Sequence, residues 1–377
     1  MAILTYRWQA RAMAAITPAS YPPAVPARAG ARRFVVYGAG AIGGVLGGRL
    51  FAAGFPVTLI ARGAHLAAIR ADGLRVESPE GAETLPVPAV GHPREIDWRP
   101  DDVVLLAMKS GGTADALSAL AGVVDPRTPI VCVQNAVANE RAALRVFPNV
   151  YGVHVMFPAA HLTPGVVQAQ SSPVSGILDL GRYPHGVDGT AEQVAAAFGA
   201  ATFVSEPRPD ITRWKYTKLL GNLGNAIDAV CGRGDARRVA VDRIRSEGMA
   251  VLRAAGIPFV PFVEDRARRG DILQVKPVNG QARTGGSSWQ SLARATGSIE
   301  ADYLNGEIVL EGRLHGVPTP ANELARQLAN RAARDGTPPG SLPPEDFVAL
   351  LDAEDEAFER SLRTEAAERD GGVLPTT

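Results

Sequence analysis

The chain lacks the cysteine and histidine spacings that bind metals or form redox-active disulfides. Its 377 residues include only two cysteines, Cys132 and Cys231, and six histidines among which no H-x-x-x-H pair occurs. Structural zinc sites need closely spaced ligands of these types, and disulfide scaffolds need many more cysteines. We therefore expect no metal site, and two buried thiols that stay reduced in the cytoplasm.

The sequence also lacks an excess of charge of either sign and a long apolar run. Lysine plus arginine equals aspartate plus glutamate, at 39 each. A nucleic-acid-binding surface needs a basic excess, and a membrane-spanning helix needs about 18 consecutive apolar residues. We therefore expect neither nucleic acid nor a membrane as a partner. The length leaves room for two globular domains.

A glycine-rich turn between an apolar strand and a helix is the most informative motif. Residues 34–44 read FVVYGAGAIGG, and their glycines have the spacing G-x-G-x-x-G. In this motif the pyrophosphate of a dinucleotide lies against backbone N–H groups at the N-terminus of the helix. We therefore predict dinucleotide binding here. The predicted cofactor-binding residues of the turn are Gly38, Ala39, Gly40, Ala41, Ile42 and Gly43.

No acidic residue stands where an NAD-binding protein needs one. A carboxylate at the end of the second strand would bind the ribose 2′-OH, but the strand at 56–60 ends in Ala61 and Arg62. The first acidic residue of the whole chain is Asp72. A guanidinium can bind a 2′-phosphate with two hydrogen bonds, so Arg62 favours NADP(H) over NAD(H) as the cofactor.

Composition divides the chain into four segments. Residues 1–31 contain arginine and proline but no acid, and we expect a disordered extension. Alternating strands and helices at 32–208 predict an NADP-binding Rossmann-type domain with a parallel sheet. Helical periodicity predicts an all-helical substrate domain at 209–336. A proline-rich linker and an acidic helix at 345–369 follow, within 337–377; the helix is expected to dock on its own chain or on a second subunit.

Individual elements of the sheet can also be predicted. Beyond the second strand, apolar runs predict strands at 85–90, 102–108 and 129–134, with a short helix at 113–120. Several short strands between residues 150 and 204 are expected to extend the same sheet. In the helical domain, the pattern predicts helices that include 287–292 and 299–314.

One helix in the second domain carries an unusual polar stripe. Lys218, Asn222 and Asn225 stand at spacings of 0, +4 and +7 in an otherwise apolar segment, so a continuous helix would bring them to one face. A ketone reductase must stabilise or protonate the oxygen after hydride reaches the carbon, and it must fix the carbonyl by polar contacts. This stripe therefore predicts the substrate-binding side of a cleft between the two domains.

The motifs in this order resemble the ketopantoate reductase (2-dehydropantoate 2-reductase) family over residues 33–328. The resemblance rests on the glycine turn, Lys109 after the fourth strand and Gln134-Asn135 after the fifth. It also rests on the Lys218/Asn222 helix and on Ser288, which Glu300 follows twelve residues later in IEADYLNGE. It implies reduction of a small 2-oxo acid, 2-dehydropantoate or a relative, to the 2-hydroxy acid by NADPH.

The resemblance also implies roles for individual residues. Lys218 would be the general acid, and Glu300 would lie near it and contact the substrate or the nicotinamide ribose. Asn222 and Ser288 would hold the hydroxyl and carboxylate end of the substrate, and Asn225 is a further candidate for binding it. The further residues with an implied role are Asn135, at the nicotinamide and substrate, and Lys109 and Arg62, at the cofactor phosphates.

Two positions depart from the family pattern. The glycine that usually follows Gln-Asn is Ala136, whose Cβ is expected to change the floor of the pocket if the loop needs a positive φ. The second helix asparagine is expected at +8 from the lysine, where the chain has Ala226, and Asn225 at +7 is a candidate replacement. Both changes bear on which 2-oxo acid is reduced.

Two other functions remain open from the sequence. A β-hydroxyacid dehydrogenase also joins a nucleotide-binding domain to helices with a lysine and an asparagine, although the Ser288-to-Glu300 segment disfavours it. A non-catalytic NADP(H)-binding sensor or scaffold gains support from Ala136 and Ala226. The retained lysine and carboxylate argue against that alternative.

Overall fold

The structure, a computed structural model, describes residues 30–353, 356 and 360. The expected extension at 1–31 therefore lies outside the described residues except for its last two positions. The strands are β1 Phe34–Tyr37, β2 Val57–Ile60, β3 Leu74–Ser78, β4 Gly81–Leu85, β5 Ala89–Val90, β6 Val103–Leu106, β7 Ile130–Cys132, β8 Val150–Met156, β9 Ala159–Ala160, β10 Val166–Ala169, β11 Gly176–Arg182 and β12 Phe203–Val204. The helices are α1 Ala41–Ala52, α2 Gly63–Asp72, α3 Thr113–Ala121, α4 Ala138–Leu144, α5 Gly189–Ala200, α6 Ile211–Asn222, α7 Asn225–Val230, α8 Ala236–Ala254, α9 Phe262–Arg269, α10 Ser287–Ala293, α11 Asn305–His315 and α12 Pro320–Asp335.

A mixed but mainly parallel eight-stranded sheet forms the N-terminal domain. Its order is β12-β11-β8-β7-β6-β1-β2-β5, and only the pair β8/β11 is antiparallel. Every residue of β1, β2 and β6 is buried, because helices cover both faces of the sheet. The expected Rossmann-type sheet is confirmed, and the carboxyl ends of β1, β6 and β7 meet at one edge.

Two expectations about the strands were wrong. The segments between residues 150 and 204 do not all extend one sheet, because β9 and β10 join β3 and β4 in a second sheet of order β4-β3-β10-β9. The predicted strand at 85–90 is interrupted after Leu85, because Pro86 and Pro88 cannot donate ladder hydrogen bonds. The chain resumes pairing only at Ala89 and Val90 beside β2.

The C-terminal domain is helical, as expected, but two of its helices differ from the prediction. The segment at 214–225 is not one helix: α6 ends at Asn222, a turn follows, and Asn225 begins α7. Gly221 and Gly224 weaken the helix at this point. The predicted helix at 299–314 begins only at Asn305, after a 3₁₀ turn at Ala301–Tyr303, so Glu300 lies on a turn.

The segment after α12 returns to the helical domain. Residues 344–353 are helical, and Phe347 and Leu351 are buried in the same apolar core as α7 and α12. This part of the expected acidic helix therefore docks on its own chain. Most of the rest of that predicted helix lies outside the described residues. Within the part of the chain that the structure describes, no helix is long and apolar enough to cross a membrane.

A buried lysine joins α6 to the sheet. Lys215 Nζ donates to the carbonyl oxygens of Gln134 and Val153, at 2.8 and 3.2 Å, beyond the end of β7 and within β8. The same Nζ lies 2.8 Å from Glu140 Oε1 on α4, and both side chains are almost fully buried. A side chain at Gly152 would press on this pair, since its Cβ would lie 3.2 Å from the Lys215 side chain. Lys215 therefore binds the sheet through two hydrogen bonds and is paired with the charge of Glu140.

Replacing this lysine should destabilise the protein. Lys215→Met leaves the Glu140 carboxylate buried without its partner, and we expect a loss of about 3–5 kcal/mol in the free energy of unfolding. Chemical denaturation followed by tryptophan fluorescence measures the loss. The double variant Lys215→Met/Glu140→Gln should recover part of it, because the unpaired charge is gone. A single variant as stable as the parent would contradict this account.

Candidate active site

The glycine turn has the geometry that a dinucleotide needs. Gly38 has φ +99°, and a Cβ there would lie 2.7 Å from the backbone nitrogen of Met108. A Cβ on Gly43 would lie 2.2 Å from Gly38 O, so α1 could not approach the strand so closely. At Gly40, by contrast, a Cβ would meet no protein atom within 4 Å. The open space beside Gly40 lies at the N-terminus of α1, where N–H groups without helical partners bind phosphates.

A pocket of about 340 Å³ extends from this turn along the end of β2. Arg62 and Lys109 both line it, as do Gly38, Ala39 and Gly40. Arg62 is exposed at the start of α2, and no carboxylate among residues 30–353 pairs with it. These residues fit the adenosine end of a dinucleotide, with a cation available for a 2′-phosphate.

A histidine supports the turn from behind. The His65 ring contacts Ala39 O through Nε2 at 2.7 Å and accepts from Gly165 N through Nδ1 at 2.9 Å. The second contact leaves Nδ1 unprotonated, so Nε2 carries the hydrogen that it donates to Ala39. Burial lowers the pKa of His65, which favours this neutral form. His65 could not be predicted from the sequence, because a single histidine on a helix has no distinctive pattern.

A larger cavity of about 740 Å³ separates the turn from the helical domain. It brings together most of the predicted residues, although they come from different elements. The predicted residues that line it are Gly38, Gly40, Ala41, Ile42, Lys109, Asn135, Lys218, Asn222, Asn225 and Glu300. Asn222 Nδ2 donates to Asn135 Oδ1 at 3.2 Å, so the two domains meet at these amides.

Lys218 is the cation on the helical side of the cavity. Its ammonium group has no hydrogen-bond or ion-pair partner among residues 30–353 and is directed to the open space. The pKa of Lys218 is lowered to about 8, mainly by burial and to a smaller extent by the positive charge of Arg269, while Asp265 opposes the shift. The lysine can therefore give up a proton near neutral pH.

Glu300 is held by the first domain rather than by Lys218. Its Oε1 accepts hydrogen bonds from Ser110 N at 3.0 Å and from Ser110 Oγ at 3.2 Å, on the loop that follows β6. The carboxylate that raises the pKa of Lys218, against the dominant effect of burial, is Asp265 on α9. Glu300 instead opposes the burial that lowers the pKa of Lys109.

Ser288 does not line the cavity. It is buried on α10, whereas Ser287 and Gln290 of the same helix, and Arg294 directly after it, line the open space. Lys109 Nζ donates to Ser291 Oγ at 2.7 Å, one helical turn further on. The role that the resemblance implies for Ser288 remains a prediction. Its neighbours Ser287 and Gln290 are the α10 residues that line the cavity.

The two departures from the family pattern have different consequences. Ala136 does have a positive φ, +67°, but it packs in the apolar core of the helical domain and does not line the cavity. The expected change in the pocket floor is therefore wrong. Ala226 is also buried in that core, while Asn225 lines the cavity where a second amide was expected.

Three arginines on the cavity wall were not anticipated from the sequence. Arg269 ends α9, Arg294 follows α10, and Arg283 lies in the irregular segment between these helices. The segment has no hydrophobic periodicity, so nothing in the sequence indicated its position. In the described part of the chain, no group of histidine, cysteine or acidic side chains is arranged to hold a metal ion. Cys132 and Cys231 are buried free thiols, as expected.

The family of the chain follows from comparison with known proteins. Residues 34–185 match the family model described as "Ketopantoate reductase PanE/ApbA", and residues 210–333 match the model of its C-terminal part. The 2-dehydropantoate 2-reductase of Halobacterium salinarum is 28% identical over 315 residues, which cover 81% of this chain and all of the relative.

Solved structures agree with this comparison. A PanE/ApbA family ketopantoate reductase from Ralstonia eutropha JMP134 is 28% identical, with a TM-score of 0.67 over 81% of this chain and 99% of its own. D-mandelate dehydrogenase, in a ternary structure with NADH and anilino(oxo)acetate, has a TM-score of 0.69 at 22% identity over 81% of this chain and 99% of its own, and shows the fold alone. These structures confirm the expected fold. Membership of the ketopantoate reductase family confirms NADP(H) as the expected cofactor. The chain belongs to the ketopantoate reductase family, and with it to the NADP-dependent oxidoreductases that act on CH–OH groups.

Proposed function

We propose that the protein reduces a small 2-oxo acid, 2-dehydropantoate or a close relative, to the 2-hydroxy acid with NADPH. The observation that carries the proposal is the position of Lys218. Its unpartnered ammonium group faces a cavity bounded on the other side by the glycine turn. Family membership favours this reaction over a β-hydroxyacid dehydrogenase and over a non-catalytic sensor.

Lys218 is the proposed general acid. Bound NADPH would supply the hydride that reaches the carbonyl carbon of the substrate. Lys218 would donate a proton from Nζ to the carbonyl oxygen, which otherwise becomes an alkoxide. A lysine with a pKa of about 8 is still mostly protonated at neutral pH, yet it releases its proton more readily than an exposed lysine.

The amides and Glu300 are the proposed orienting groups. Asn135 and Asn222 hold each other through one hydrogen bond, which fixes the remaining amide groups toward the substrate. Asn225 extends the same polar wall from the start of α7. Glu300, tied to Ser110, is suited to accept a hydroxyl hydrogen of the substrate or of the nicotinamide ribose. Ser288, which is buried on α10, is proposed only to help position the residues that line the cavity.

The cofactor is proposed to bind across both cavities. The N-terminus of α1 would receive the pyrophosphate, with Gly40 leaving the space for it. Arg62 would bind the 2′-phosphate, and Lys109 would add a second positive charge near the phosphates. The open turn at Gly40 and the unpaired cation at Arg62 support this arrangement.

The setting of the enzyme is also proposed. Two buried free thiols and a balanced charge are consistent with a cytoplasmic enzyme that acts on a small molecule and not on nucleic acid. A homodimer stays a prediction, for which sedimentation equilibrium is the direct measurement. Leu310 and Leu314 on α11, which are 48% and 65% exposed, are candidate contacts.

NADPH oxidation with a panel of 2-oxo acids tests the reaction. The panel should include 2-dehydropantoate, linear 2-oxo acids and an aromatic 2-oxo acid, because a protein of this fold is a D-mandelate dehydrogenase. We expect turnover with at least one member. Lys218→Met should lower kcat by about 10²–10⁴-fold because the proton donor is lost, while NADPH affinity is retained. Full activity of this variant would exclude Lys218 as the acid.

The pH dependence of the reaction tests the state of Lys218. The acid must be protonated, so kcat/KM for reduction should be constant below the pKa of about 8 and should fall as the pH rises above it. Arg269→Gln removes a neighbouring positive charge, raises the pKa of Lys218 and should move the falling limb to higher pH. A profile that is flat to pH 10, or an unmoved limb, would contradict the assignment.

Glycine-to-alanine substitutions test the cofactor site. Gly40→Ala should leave the unfolding midpoint unchanged, because its Cβ meets no protein atom, but should weaken NADPH binding by at least roughly tenfold. Gly43→Ala should instead lower stability, since its Cβ would overlap Gly38 O. Gly199→Ala on the exposed side of α5 is the matched control and should affect neither quantity adversely. Fluorescence titration and thermal melting measure these effects, and tight NADPH binding by Gly40→Ala would refute the proposed cradle.

A further inference from the structure

The larger cavity carries a strong positive charge. Five cationic side chains line it, and Glu300 is the only carboxylate among its lining residues in the described part of the chain. The five are Lys109, Lys218, Arg269, Arg283 and Arg294. The protein as a whole has no net charge, so this concentration is local. Such a cavity favours anionic ligands.

Three of these cations already have partners within the protein. Lys109 donates to Ser291 Oγ, and Arg269 forms an ion pair with Asp265 at 3.1 Å. Arg294 donates to the carbonyl oxygen of His161 at 2.8 Å and to that of Gln290 at 3.1 Å, which fixes its guanidinium beside the wall. Lys218 is assigned to the carbonyl oxygen of the substrate. Arg283 is the remaining cation, and it is held less firmly than the other three.

Arg283 has little holding it apart from one backbone contact. Its Nε donates to Gly285 O at 3.3 Å, and no carboxylate of residues 30–353 lies within ion-pair distance. The acid whose charge opposes the burial that lowers the pKa of Arg283 is Asp228. That carboxylate is already bound by Arg237 and by the backbone N–H of Gly286. The terminal nitrogens of Arg283 are therefore available to a ligand.

The segment that carries Arg283 crosses the cleft and is anchored on both sides. A reversal at Asn279 and Gly280, which have φ of +51° and +74°, turns the chain back toward α10. Asn279 Nδ2 donates to Glu77 Oε2 on β3 at 2.8 Å, and Lys276 N donates to Gln170 O at 3.1 Å. We call residues 271–286 the crossing arm. It holds Arg283 over the cavity at a set position.

The arm places Arg283 on the Lys218 side of the cavity. The arm meets the helical domain at α7, where Gly286 N donates to Asp228 Oδ2 at 3.0 Å and a Cβ on Gly286 would lie 3.8 Å from Asn225 Oδ1. Asn225, Lys218 and Arg283 line the same cavity. The charges of Arg269 and Arg283 both lower the pKa of Lys218, which burial lowers most. In a 2-oxo acid the carboxylate is bonded directly to the carbonyl carbon. A group that binds this carboxylate must therefore lie close to the acid that serves the carbonyl oxygen. Ser288, the residue expected at this end of the substrate, does not reach the cavity.

We propose that Arg283 binds the carboxylate of the 2-oxo acid and thereby selects acids over neutral ketones and esters. This inference rests on the proposed function and assigns one end of its substrate. A guanidinium can hold a carboxylate through two parallel N–H···O bonds, which fix the plane of the 2-oxo acid as well as its position. With the carboxylate on Arg283 and the carbonyl oxygen at Lys218, the rest of the substrate points toward Asn222 and Asn225.

Kinetics with an acid and its ester test the inference. The best 2-oxo acid of the panel is compared with its methyl ester, using the full-length protein and Arg283→Gln. We expect kcat/KM for the acid to fall by roughly 30- to 100-fold, mainly through KM, and kcat/KM for the ester to stay unchanged. Arg283→Lys should be intermediate, because it keeps the charge without the planar pair of donors. NADPH affinity should be the same in all three proteins.

A matched control and a binding measurement separate this inference from the reaction itself. Arg253→Gln, at an exposed arginine on α8 outside the cavity, should change nothing. Oxamate, an unreactive analogue of a 2-oxo acid, is titrated into the enzyme–NADPH complex and followed by NADPH fluorescence. Weaker oxamate binding in Arg283→Gln supports the inference, whether or not any 2-oxo acid is turned over. Absence of turnover with every 2-oxo acid would refute only the proposed reaction. Equal losses for acid and ester, an unchanged acid, or unchanged oxamate binding would overturn it.

Discussion

The buried ammonium group of Lys215 is the contact on which the geometry of the cleft depends. It donates to Gln134 O and Val153 O and forms a buried ion pair with Glu140, so these contacts fix the position and rotation of α6 relative to the sheet. Lys218 follows three residues later, on the neighbouring part of the helix surface. The contact thereby fixes the distance between Lys218 and the edge of the sheet at which the cofactor is expected to bind.

The same contact stabilises the strained loop after β7. Ala136 has a left-handed backbone, which costs a residue with a Cβ about 1–2 kcal/mol. Two effects offset this cost: Lys215 binds the carbonyl of Gln134 two residues earlier, and the Ala136 methyl group is buried among helices of the second domain. Asn135, which lies between Gln134 and Ala136, faces the cavity and contacts Asn222. The strained backbone at Ala136 thus helps to align the side-chain amide of Asn135 with that of Asn222 in the other domain.

The sequence predicted the parts of the protein that local patterns determine. The glycine turn and most of the apolar strands are such patterns, and the structure contains them. The polar stripe with Lys218 also faces the cavity, although it is divided between α6 and α7. The second sheet could not be predicted, because β10 pairs with β3 across some ninety intervening residues. Lys215 could not be recognised either, since a lysine in a helix normally extends to solvent. Arg283 was missed because the crossing arm has no periodicity and is positioned by contacts to distant elements.

The positions of Lys218 and Arg283 on two different elements of the cavity wall have a chemical consequence. Lys218, the proposed acid, lies on a helix that buried contacts hold in place, whereas Arg283 lies on an arm held by a few hydrogen bonds. A carboxylate bound to Arg283 would neutralise a charge that, with burial and Arg269, lowers the pKa of Lys218. The pKa of Lys218 would then rise when the substrate is present. Substrate binding would therefore keep the proton on Lys218 until the developing alkoxide takes it, while an unliganded site would hold that proton less tightly.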